Sequence, residues 1–193
     1  MKDLLYRLQR WFVINCNGDW EHGHPISITT VDNPGWAVTI PLQDTCLQNA
    51  RLDYVLNQRS PTDWVGYLVR DGAFEGNGGA ENLSEILSYF LDNFLPAHLD
   101  ASSTLELYVP VIGYEGQLWI DAEARMLSES AVEIVAIGGS SCEWSTNEFL
   151  ETLDIEIADM QTAYKVGDAL EPDIFQAPDN ILRTFLVAPS KAQ

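Results

Sequence analysis

The sequence predicts an α+β protein, with an antiparallel sheet flanked by helices in the first half and a second, smaller α+β unit in the second half. Three observations predict it. Apolar residues recur at helical spacing near the N-terminus and again between residues 83 and 94. Between those stretches the period drops to two, in short runs separated by turn residues, as antiparallel strands require. The same alternation resumes after residue 103.

Leu4, Leu8 and Trp11 fall on one stripe with Leu5 and Phe12 beside them, so Asp3 to Ile14 reads as a helix. Asn17-Gly18-Asp19 breaks it. Ile26, Ile28 and Thr30 alternate with Ser27, Thr29 and Val31, and Trp36, Val38 and Ile40 alternate with Ala37 and Thr39. Asp32-Asn33-Pro34-Gly35 joins the two runs, with Pro fixing φ and Gly tolerating a positive one, so a hairpin is expected. Leu52, Tyr54 and Leu56 suggest a third strand and Trp64 to Arg70 a fourth, closed by the hairpin signal Asp71-Gly72. Ala73 to Glu75 returns as a short fifth, and Gly76 to Gly79 reads as a loop. Leu83, Ile86, Leu87, Phe90, Leu91 and Phe94 form a helix that Pro96 is expected to stop.

Pro96 to Ser103 carries few large apolar groups and reads as a linker, so two domains are expected, residues 1–97 and 98–193. In the second, Leu105, Leu107 and Val109 form a strand. Leu118 and Ile120 follow the Gly113 to Gly116 turn, and Val132 to Ile137 is a shorter run. Ser145-Thr146-Asn147-Glu148 has capping-box spacing and opens a helix with Phe149, Leu150, Leu153, Ile157 and Met160 inward. Ile181 to Val187 reads as a last strand.

Across 193 residues, 29 Asp and Glu stand against 10 Lys and Arg, a net charge of −19. With 46 % hydrophobic residues and six Trp, there is apolar material enough for a core, which excludes global disorder. Nucleic-acid partners are not expected, because phosphate binding needs clustered bases, and an anionic membrane would repel the chain. The charge is uneven: net −7 up to Asp100 and net −12 beyond it. Cys16, Cys46 and Cys142 are odd in number with no C-x-x-C pair, which suits reduced thiols in a cytoplasm. Charges in the first turns argue against a signal peptide, and no apolar run reaches membrane-spanning length.

The densest polar cluster is Asn17-Gly18-Asp19-Trp20-Glu21-His22-Gly23-His24. Asp19, Glu21, His22 and His24 together offer oxygen and imidazole donors for a metal-assisted hydrolase. Their spacing lacks an established ligand ladder, so an Asx-type turn is the expected reading, with no metal and no cofactor. Trp20 and Trp36 read as core packing or, alternatively, as an aromatic anchor for a partner. Gly138-Gly139-Ser140-Ser141 lacks the Lys of a phosphate loop, and Cys142 has no nearby His to activate it, so no catalytic residue is assigned. Glu143, Glu148, Glu151, Asp154, Glu156 and Asp159 would share a helix face, either a solvated surface or a mimic of nucleic acid.

Two ordered motifs carry a resemblance. The first runs through Leu8 to Phe12, Cys16 to His22, Ile28 to Trp36 and Thr45; the second through Asp63 to Val65, Phe74 to Gly79 and Asn82 to Leu87. Over roughly Leu4 to Leu95 the chain resembles the bacterial immunity protein 53 family of polymorphic toxin systems. The resemblance implies a small cytoplasmic, non-enzymatic antidote that neutralises a cognate toxin protein by binding it. It carries over no catalytic residues. Asp19, Trp20, Glu21, His22, Asp32 and Trp36 are the expected binding residues, and a basic effector such as a nuclease suits the negative charge. Neither the toxin nor the oligomeric state is readable.

Overall fold

A computed structural model describes residues 3–114, 118–138, 161–176 and 184–191. The chain opens with α1 (Leu4–Asn15) and a short α2 (Trp20–Gly23). The strands β1 (Ser27–Val31), β2 (Gly35–Pro41), β3 (Val55–Gln58), β4 (Trp64–Arg70) and β5 (Ala73–Gly79) follow. They form one antiparallel sheet in the order β1-β2-β5-β4-β3. Asp71 and Gly72, both at positive φ (51° and 75°), make the tight β4–β5 turn.

The fifth strand is longer than the sequence suggests, because Gly76 to Gly79 continue it instead of forming a loop. The glycines are there for clearance. A Cβ on Gly76 would collide with Ile86, so that face of β5 admits the next helix at close range, whereas one on Gly79 would collide with the Thr62 carbonyl of the β3–β4 turn. That helix, α3 (Leu83–Ser88), widens into a π-helical segment at Tyr89–Phe94 and ends as α4 (Leu95–His98). Pro96 therefore does not stop it. Proline sits in the first turn of α4, where its missing N–H is tolerated, and the wider register just before it absorbs the change. The chain turns away after His98, whose Nδ1 lies 2.8 Å from the Phe94 carbonyl oxygen.

Beyond it run β6 (Leu105–Pro110), β7 (Trp119–Met126), β8 (Val132–Ile137), β9 (Ala169–Leu170), β10 (Asp173–Gln176) and β11 (Thr184–Val187). Among the described residues these make a second sheet ordered β10-β11-β6-β7-β8-β9, with β11 parallel to β6 and the other pairs antiparallel. The overall class is α+β, as expected, with no helix between β6 and β11 among the described residues. The helix expected from Ser145 to Met160, its acidic face from Glu143 to Asp159, Gly139 to Ser141, Cys142 and the start of the last expected strand lie outside the described residues.

Apolar groups from both sides of residues 97 and 98 meet in one core. Trp11 and Ile14 from α1, Phe74 from β5 and Phe90 and Phe94 from the π segment join Leu107, Ala124, Val132 and Ile134 of the second sheet. Cys46 lies 3.5 Å from Met126 across this boundary, sulfur to sulfur. Arg7 on α1 bridges Asp92 of the π segment (2.7 Å) and Glu129 of the β7–β8 turn (2.6 Å). Arg10 donates to the Pro172 carbonyl before β10.

Candidate functional site

The polar cluster that stands out in the sequence is a self-capped loop. Asn17 Oδ1 accepts the N–H groups of Asp19 (3.1 Å) and Trp20 (2.9 Å), which starts α2 through an Asx turn. Glu21 reaches back and accepts the N–H groups of Gly18 (3.1 Å) and Asn17 (3.2 Å). Gly18 supplies the positive φ, 97°, that this reversal needs.

Trp20 locks the loop to the body. Trp20 is buried, at 3 % exposure, and its indole N–H donates to the Gln43 carbonyl at 2.9 Å. Phe12 packs against the ring at a tilt, and His24 stacks on it with centroids 5.6 Å apart. His24 Nδ1 lies 3.0 Å from the Trp20 carbonyl oxygen, and its Nε2 lies 4.0 Å from Asp44. Asn17, Glu21 and the Nδ1 of His24 are thus directed to the loop's own backbone. Among the described residues, no group of three or more His, Cys, Asp and Glu side chains is placed to hold a metal.

Of the six expected binding residues, Asp19 and His22 are exposed on this loop, and Asp32 is exposed in the β1–β2 turn. Glu21 is half-buried by its capping role. Trp36 is half-buried too, its indole N–H donating to the Ala80 carbonyl at 2.8 Å. Any contribution Trp20 makes to recognition goes through the shape of the loop.

Beside the loop lies a cleft of about 350 Å³. Asn17, Asp19, Asp44 and Glu106 line it over Cys16, Cys46, Met126 and Leu186, and none of its lining residues is a base. Burial pushes both thiols up to about 12, with the Glu21 charge adding to the effect at Cys16. Both are held as protonated thiols at neutral pH, which withholds the thiolate that nucleophilic chemistry requires.

The second motif builds a cross-brace whose central residue sequence reading missed. Arg59, at the end of β3, donates to Asp63 (2.9 Å) and to Glu85 (2.7 Å), while Asn82 donates to the same two carboxylates (3.0 and 3.1 Å). The guanidinium holds Asp63 at about 2 and Glu85 below its ordinary value. The contacts tie the β3–β4 turn to α3. Asp63, Asn82 and Glu85 stand inside the quoted motif, whereas Arg59 has no periodic or turn signal of its own. Because both carboxylates titrate low in the folded chain, the brace is complete above the ordinary carboxylate range and weakens as pH falls toward about 2. Arg59→Met is therefore expected to lower the melting temperature at neutral pH and to flatten its decline on acidification. A melting series from about pH 6 to about pH 2 checks this; parallel curves for variant and wild type would contradict it.

The geometry defines an acidic α+β protein whose motif residues direct their hydrogen bonds into loop and helix placement. Residues 5–94, the first half of the chain, match the family model described as Immunity protein 53. Comparison with curated proteins and with solved structures gives no match. The family suggests an immunity protein of a polymorphic toxin system, one that binds a toxin protein and is not itself an enzyme. Among the described residues, no helix is long and apolar enough to cross a membrane.

Proposed function

We propose that this chain binds a cognate polymorphic toxin in the cytoplasm of the cell that makes both, and neutralises it by non-covalent occlusion. The family match over residues 5–94 carries the reading. The charge of −19 supports a basic effector, such as a nuclease, as the partner. An acidic surface raises the encounter rate with a positive one, and the two desolvate only where shapes match. Asp19 and Asp32, exposed on turns next to the sheet, are the carboxylates proposed to meet it, with His22 on the same loop as Asp19.

The test uses the toxin domain that the proposed function expects in a neighbouring reading frame. Stoichiometric mixing should abolish the toxin's activity without altering its mass. The association rate should fall by about tenfold or more between about 50 mM and about 500 mM salt, as screening shortens the reach of the charges. A rate flat across that range would reject electrostatic steering. Full toxin activity at excess chain would reject the function.

A further inference from the structure

The first sheet has an open edge at β1. Among the described residues β1 pairs only with β2, and Ser27, Thr29, Thr30 and Val31 are exposed with Ile28 half-buried. Its hydrogen-bond alternation can be fixed. Leu42 N–H donates to the Gly72 carbonyl at 2.8 Å, which directs Trp36, Val38 and Ile40 toward β5 and Gly35, Ala37 and Thr39 toward β1. Opposite them, Ser27, Thr29 and Val31 bond inward, so the main-chain N–H and C=O groups of Ile28 and Thr30 face outward. Such edges are usually blunted by Lys, Pro or a bulge, and Ser-Ile-Thr-Thr-Val has none of these.

A second feature lies alongside. An apolar cavity of about 400 Å³ opens between α1 and the segment leading into β1, lined by Leu8, Gln9, Phe12, Glu21, Pro25 and Ile26. Side chains at Ile26 and Ile28 share the inner face of the sheet, so a strand added beside β1 would point alternate side chains toward this cavity. The charge here has one sign. From Trp11 to Ala50 the chain has no Lys or Arg, against Asp19, Glu21, Asp32 and Asp44. Glu21 lines the cavity and Asp32 follows the far end of β1. The other edge of this sheet, β3, is equally exposed; Arg51 precedes it, while Arg59 beyond its end is already paired with Asp63 and Glu85.

We infer that the toxin docks by adding an extended segment to the β1 edge. That segment pairs with the main chain of Ile28 and Thr30, seats an apolar side chain in the cavity, and carries Lys or Arg toward Glu21 and Asp32. Main-chain bonds supply affinity in such an arrangement and the pocket supplies selectivity. The inference rests on the proposed toxin-binding function.

The experiment measures calorimetric affinity and amide hydrogen exchange with the same toxin domain, carrying an inactivating substitution so that it can be produced. In the complex, the Ile28 and Thr30 amides should exchange at least tenfold more slowly, while those of Leu56 and Gln58 on β3 stay unchanged. Thr30→Pro removes an outward donor and no β1–β2 bond, and should weaken binding at least tenfold. Gln9→Arg places a positive charge at the cavity on an exposed helix position, and should weaken binding without touching the strand. If the toxin binds but Ile28 and Thr30 are not protected, or protection falls on β3 instead, the edge-docking inference is overturned and toxin binding stands. If Thr30→Pro fails to fold, the exchange data and Gln9→Arg still decide. If wild type neither binds nor inhibits, the immunity function itself falls and this inference with it.

Discussion

Phe74→Ala should cost about 3–5 kcal/mol in urea unfolding, a large share of the roughly 5–15 kcal/mol that holds most domains folded. Phe74 is 0 % exposed and sits where the first sheet meets the helices. Its ring centroid lies 5.2 Å from Phe90 and 5.1 Å from Phe94, and 6.2 Å from each of Tyr67 and Tyr89. Phe90 in turn meets Trp11 of α1 edge-on at 5.5 Å. Truncation would remove the ring on which β4 and the π segment converge, and Gly76 with its close contact to Ile86 leaves the helix little freedom to collapse into the gap. Phe74→Leu keeps most of the volume and should cost under about 1.5 kcal/mol. Equal losses in the two variants would mean that ring packing is not what β5 contributes.

The elements that sequence located well are those whose local pattern and tertiary role agree. Trp64–Arg70 alternates, ends in Asp71-Gly72 and is a strand with those bounds. Leu4–Asn15 shows its apolar stripe and packs it inward. The misreadings arise where a distant contact decides. Gly76 to Gly79 look like a loop because glycine is a poor strand former, yet they pair in register with β2, and at Gly76 the missing side chain makes room for Ile86 of α3. Pro96 looks like a stop, and is passed because the preceding turn is π-helical. The strands at Ala169–Leu170 and Asp173–Gln176 are short and lack a run of alternation, so nothing local marks them. In the polar loop the Asx turn was legible from Asn17-Gly18-Asp19. Its attachment was not, since Gln43 and Asp44 come from the far end of the β1–β2 hairpin and only the fold brings them to Trp20 and His24.

That attachment gives the loop a test separating its framework from its exposed charges. Trp20→Ala empties a buried site and strands the Gln43 carbonyl, and should cost about 3–5 kcal/mol of stability. Trp20→Phe keeps a ring against Phe12 and His24 but loses the donor, and should cost about 1–2 kcal/mol. Asp19→Asn and Asp32→Asn change exposed carboxylates and should leave stability within about 0.5 kcal/mol. On the proposed function their effect appears elsewhere, as a slower association with the toxin that high salt makes equal to wild type. Trp20→Phe should instead change affinity, if at all, through dissociation and equally at every salt concentration, because no charge is lost. Unfolding curves paired with association and dissociation rates for the four variants read both predictions at once. Loss of stability in Asp19→Asn or Asp32→Asn comparable to that in Trp20→Ala would make those carboxylates part of the framework and remove them from the proposed interface.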